Sequence, residues 1–324
     1  MKYRSIASTI YNRPQAIEQW KLEEIAALIE MRERGDSLSQ AEIRAVIPED
    51  RDEIRPYGIT AAGDHVPMEA MNGHGHGGLI AVMPLFGTIF QHAGMLESFS
   101  GGTSTETFGD QFDAFVANPE VSTIVIKTHS PGGSIYGVEE LSSQIHAARK
   151  SGTRIIAVAD SMTASAATWI ATAAHEVVVT PGGEIGSIGV ISMYADQSER
   201  EEATGIRRTI VRTPEMKARF TGVEPMDDDM LRTMVKRNEE AYDTFVRAMA
   251  RNRGVSQTKV RDDFGGGEMQ SASESTTSKL SDQTATFRDV MTELRAGIGA
   301  KSRRARQAQA NRNRLALAAA SLDD

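Results

Sequence analysis

The sequence predicts an α/β protein with a largely parallel sheet, and three observations carry that expectation. From residue 79 onward, short β-branched runs alternate with stretches whose apolar residues recur at helical spacing. Strand, helix, strand, helix in that order requires crossover connections, which join parallel strands. The chain has 324 residues, 40% of them hydrophobic and 25% charged, enough for one large globular domain with appendages or for two modest domains.

Taken in order, residues 1–60 read as a helical segment. The stretch IEQWKLEEIAALIEMRERG has apolar residues at helical spacing and closes on Gly35. Residues 61–78, AAGDHVPMEAMNGHGHGG, are glycine-rich and aperiodic, so they read as a linker. Two imidazoles in His74-Gly75-His76 suggest a metal, but glycines flank them and no carboxylate stands at fixed spacing, so flexible backbone is the better reading.

Residues 79–294 then form the predicted main domain. LIAVMPLFGTI is a strand, and 103–117 a helix that stops before Asn118-Pro119. STIVIKTHS is a strand, 135–150 a helix, RIIAVAD a buried strand, SAATWIATAA a short helix and EVVVT a strand. GVISM and RRTIVR are expected to continue the sheet. Residues 231–249 form a long amphipathic helix, with Asp227 to Asp229 at its dipole-favoured start and Gly254 as its C-cap. Residues 295–324 are a basic, alanine-rich tail, helical or disordered.

Composition removes several functions. With no cysteine there is no disulfide framework, thiolate nucleophile or zinc–thiolate site. A net charge of −8 argues against general nucleic-acid binding, and only the basic tail suits such a contact. No apolar stretch resembles a signal peptide or a membrane span, so a soluble chain is expected, and the absence of cysteine suits a reducing cytoplasm.

Four short motifs could carry chemistry. Ser130-Pro131-Gly132-Gly133-Ser134 follows a strand and precedes a helix; its glycines allow positive φ and let backbone amides approach an oxyanion. Alone it would be a plain strand-to-helix turn. Asp160-Ser161-Met162-Thr163-Ala164-Ser165-Ala166-Ala167 places a hydroxyl among small neighbours at a helix start, where an N-cap is the commoner role. Gly183-Glu184-Ile185-Gly186-Ser187-Ile188-Gly189-Val190 suggests close packing beside a site and lacks the Gly-Lys-Ser/Thr ending of a phosphate loop. Lys217, in PEMKARF, would by itself be a solvated surface lysine.

Together these motifs resemble the signal peptide peptidase A (SppA, protease IV) family of serine peptidases, over about residues 79–254. The resemblance implies a ClpP/crotonase-like fold of repeated β-β-α units and an endopeptidase needing no metal or cofactor. It places the nucleophile on Ser165, the oxyanion-hole glycine on Gly132 or Gly133, the general base on Lys217 and the residue orienting that lysine on Ser187. A serine needs a base, and a lysine becomes one when an apolar wall disfavours its charged form; Met216 and Phe220 are candidates for that wall. A histidine base is the alternative. His129 could line the cleft, whereas His175 reads as a helix end.

The opening of the chain resembles soluble phage-encoded members, which act as prohead proteases on scaffold and capsid proteins. Homo-oligomers are expected on the same ground. A host-type signal peptide or quality-control peptidase, an acyl-CoA enzyme on the same fold, and a non-catalytic scaffold protein are the alternatives. Two departures stand out. Thr128-His129 precedes SPGGS where relatives have aspartate or asparagine, and GGGEMQSASESTTSKLSD replaces a later family segment.

Overall fold

A computed structural model describes residues 10–33, 55–75, 78–92 and 102–320. The elements of the first half are β1 (Gln15–Ile17), α1 (Gln19–Glu33), β2 (Tyr57–Thr60), β3 (His65–Pro67), β4 (Leu79–Phe86), β5 (Ile89–Phe90), β6 (Thr103–Ser104), α2 (Thr105–Ala117), β7 (Val121–Ser130), β8 (Gly132–Ser134) and α3 (Val138–Ala148). There follow β9 (Arg154–Ala164), α4 (Ala166–Ala171), β10 (Glu176–Val179), β11 (Glu184–Gly186), α5 (Ser198–Ala203), α6 (Asp228–Arg253), α7 (Gln257–Asp263), β12 (Met269–Ser271), α8 (Ala272–Ser278), β13 (Gln283–Thr284) and α9 (Phe287–Ala320).

Among the described residues the central sheet has nine strands. Its core, β4, β7, β9, β10 and β11, is parallel, as the alternation of strands and helices requires. One edge of β9 pairs with β7, and the other is divided: residues 156–159 pair with β10, and Met162 to Ala164 pair with β11. That division carries the end of β9 past the sheet body, where the next residue is Ser165.

Both faces of a parallel sheet must be covered, and side-chain parity shows how. Leu79, Ala81, Met83 and Leu85 of β4 face one core with Ile124, Ile126, Ile155 and Ala157, under α2, α3, α4 and α6. Ile80, Val82, Val125, Ile156, Val158 and Val178 face the opposite way, against Val290, Met291, Leu294 and Ile298 of α9. Burying such a side chain contributes about 1.5–3 kcal/mol as an upper estimate. Because Ile298 lies in this core, α9 runs through the boundary that the sequence placed after residue 294.

Elsewhere too the structure differs from expectation. The span read as a linker begins inside a hairpin: β2 and β3 pair antiparallel, and β2 joins the edge of β4. Farther on, the Glu120 carboxylate accepts from the Gly73 and His74 amides at 2.9 and 2.7 Å, which holds its pKa below the ordinary carboxylate value. His76 falls outside the described residues, as does Gly35. Residues 207–212, expected as a strand, belong to no strand, and GVISM contributes only an isolated bridge at Ile191. The long helix is α6, capped by Asp227, whose carboxylate accepts from Met230 N at 2.9 Å, and by Gly254 in the left-handed region. No described helix is long and apolar enough to cross a membrane.

Candidate active site

The site is built at the end of β9. Ser165 sits between strand and helix with φ 57 and ψ −114, a conformation rare for a residue with a side chain. Its neighbours hold it there. The Ser165 amide donates to Gly186 O at 2.8 Å, and its carbonyl accepts from Trp169 N at 3.0 Å, opening α4. Its side chain caps nothing; the hydroxyl makes one long bond to Gly189 O, at 3.5 Å. Ser165 is 1% exposed. A strained turn presenting an uncommitted hydroxyl differs from an ordinary N-cap serine, whose oxygen is spent on the helix amides.

Thr168, which sequence reasoning missed, braces this elbow. Its hydroxyl reaches Thr163 O at 2.7 Å and Gly186 O at 2.9 Å, and receives the Gly186 amide at 3.3 Å. One side chain thus ties β9, α4 and β11 together. The hint was its place three residues beyond the serine, one turn along the helix, where a buried hydroxyl needs partners. Below it, Trp169 stacks on Phe245 with ring centroids 4.4 Å apart and donates to Glu139 at 3.0 Å.

The glycine turn stands against the elbow. Gly132 has φ +92, and a Cβ there would collide with Ala16 O and come within 3.0 Å of Ser165 Cβ, so only glycine fits. Its amide donates to Ser130 Oγ at 3.1 Å, and Ser130 Oγ donates to Gly87 O at 2.6 Å. A Cβ on Gly133 would collide with Ile89 O. Ser187 lies one residue beyond the Gly186 carbonyl that receives the Ser165 amide. It has φ 55, is 9% exposed, and donates its own amide to Glu268 O at 2.9 Å. Ser165, Ser187, Gly132 and Gly133 are therefore brought together.

Lys217 is not part of that cluster. It lies in an exposed turn whose amide donates to Pro214 O at 3.0 Å, and no hydrogen bond or ion pair of its amine is found among the described residues. Met216 is 45% exposed, so it forms no dry wall here. Arg219, two residues on, pairs with Asp227. The physical reason is supply: residues 204–218 run over the surface with little to pack on. The histidines are engaged elsewhere. His129 is exposed, with Nδ1 3.0 Å from Ser161 Oγ. His175, read as a helix end, lies beyond α4 and just before β10, where it bonds the Ile155 amide and the Arg149 carbonyl at 3.1 and 3.0 Å.

Residues 147–301 match peptidase family S49. Capsid assembly protease C of Escherichia phage lambda is 25% identical over 270 residues, 83% of this chain and 58% of that protein. Protease 4 of Salmonella typhi is 25% identical over 66% of this chain and 34% of its own length. The chain thus spans little more than half of one curated relative and a third of the other. Among solved structures, a ClpP1 mutant from Listeria monocytogenes aligns over 64% of this chain and 92% of its own, with 15% identity and a TM-score of 0.41. On the sequence matches, the chain carries a peptidase family S49 domain and is related to a phage capsid assembly protease and to protease 4.

Proposed function

We propose that the chain is a serine endopeptidase with Ser165 as nucleophile and Lys217 as general base. The observation that carries this is the elbow: a buried serine at positive φ, its hydroxyl making only one long bond and capping no helix amide, packed against a glycine turn. In this reading Ser165 Oγ attacks the peptide carbonyl carbon, and its proton passes to the Lys217 amine and then to the leaving amine. Gly132 and Gly133 amides receive the oxyanion, the former exchanging its bond to Ser130 Oγ for the stronger charged acceptor. Water then releases the acyl group by the same route, and Ser187 orients the lysine.

Because the Lys217 turn is exposed in the single chain, the reading requires a second surface that closes over it and excludes water. Ile206, Val211 and Met216 are apolar and exposed on the same stretch. This favours a homo-oligomer in which copies complete one another. The relationship to a capsid assembly protease supports scaffold and capsid proteins as substrates, cut during phage head assembly in the host cytoplasm. The test is co-expression with candidate capsid proteins. Cleavage should occur with the parent chain and fall by on the order of 10⁴-fold or more with Ser165→Ala, whose folding is intact. Cleavage by that variant at the parent rate would remove the proposal.

A further inference from the structure

β1 lies where a substrate would have to lie. It pairs antiparallel with β8, placing Ala16 opposite Gly133 and Ile17 opposite Gly132, and the Glu18 amide donates to Pro131 O at 2.8 Å. On its other edge, Gln15 and Ile191 exchange both backbone bonds, at 2.8 and 2.9 Å, and the Asn12 amide donates to Met193 O at 2.9 Å. The slot between the glycine turn and residues 189–193 therefore offers backbone partners on both sides, the arrangement by which proteins bind an extended peptide as an added strand.

The position of Ala16 is specific. Ala16 is fully buried, and its carbonyl oxygen crowds the point from which Ser165 Cβ is 3.0 Å away. A small residue thus places its carbonyl beside the elbow. The strand is also linked to the segment bearing Lys217, because the Asn12 side-chain amide donates to Phe220 O at 2.8 Å. Ala16 itself packs into the larger core, but the rest of the segment is anchored by a small separate cluster: Ile10, Tyr11, Ile17 and the Leu22, Ile25, Ala26 and Ile29 face of α1, packed on Ile191, Met193 and Ala195. A unit held mainly by its own cluster, with one small side chain in the main core, can be released without opening the sheet.

We infer that residues 12–18 are a tethered substrate mimic that fills the peptide groove beside Ser165, so that the chain as described is self-blocked and works only after this strand is displaced. The inference rests on the proposed peptidase site, but its test separates the two. The probe is a fluorescent peptide of residues 11–19, titrated by anisotropy into the full chain carrying Ser165→Ala, with or without Ala16→Pro or Ala16→Trp. Proline removes the strand amide at that position, and tryptophan cannot enter a fully buried alanine site. The released variants should bind the peptide at least tenfold more tightly than the parent. With Ser165 restored, they should hydrolyse an alanine-containing peptide at least tenfold faster. Equal affinity in parent and variants, or no binding to any, would overturn the inference whatever the activity. Tight binding only to the released variants, with no hydrolysis by any, would uphold it and refute the catalytic proposal.

Discussion

The two halves of the proposed dyad are built in opposite ways. Ser165 is enclosed by the fold's own core, on a strand end braced by β11, α4 and the glycine turn. Lys217 rides on a stretch where Val211 is 94% and Ile206 56% exposed, with no regular element between α5 and α6. A nucleophile needs fixed geometry, and packing supplies that within one chain. A lysine base needs a dry surrounding, which this chain alone does not provide. The contrast teaches that the elbow is an intrinsic property of the fold, whereas the proposed base would need association or substrate to complete its surroundings.

Substitutions on the two sides should then differ sharply in cost. The largest stability effect is expected under the elbow: Trp169→Ala removes the stack on Phe245 and the bond to Glu139, and should cost about 3–5 kcal/mol in denaturant unfolding. A cost below about 1 kcal/mol would mean that the platform is looser than its packing suggests. Next, Thr168→Val keeps the shape but leaves the buried Gly186 amide without that acceptor, a loss of about 1–3 kcal/mol. Because Thr168 positions the elbow without touching substrate, kcat should fall while KM changes little. A rise in KM alone would assign Thr168 to substrate binding. The smallest effect is expected on the other side. Val211→Ser should change the stability of the isolated chain by less than about 0.5 kcal/mol, and a larger loss in dilute solution would show that the segment already packs within one copy.

Much of the fold was legible because its signals are periodic. β7 and β9 are β-branched runs whose parity sorts cleanly onto the two faces, and α6 shows its stripe and both caps. RRTIVR misled for the same physical reason: β-propensity measures fit to a neighbouring strand, and residues 207–212 have none. The hairpin of β2 and β3 escaped notice because short strands beside glycines carry little periodicity. At the site, the tight turn at SPGGS was readable from its glycines, since positive φ and close approach leave few choices, whereas the serine block took its role from the resemblance and not from residue type alone. β1 was not. Three residues after a proline carry no strand signal, and their pairing with β8 depends on partners more than a hundred positions away.

The central claim, that Lys217 activates Ser165, is tested most directly by the rate at which a fluorophosphonate modifies Ser165, located by peptide mass spectrometry. It should be measured on the parent, Lys217→Ala and Lys217→Arg, each also with Ala16→Pro so that a filled groove is not mistaken for an inactive dyad. The account predicts modification of Ser165 where Lys217 is present, fastest with Ala16→Pro. It also predicts a loss of at least a hundredfold in both Lys217 variants, since arginine keeps the charge but cannot accept the proton. Modification of Ser165 at the parent rate in Lys217→Arg would contradict it and move the base elsewhere, with His129 the first residue to replace.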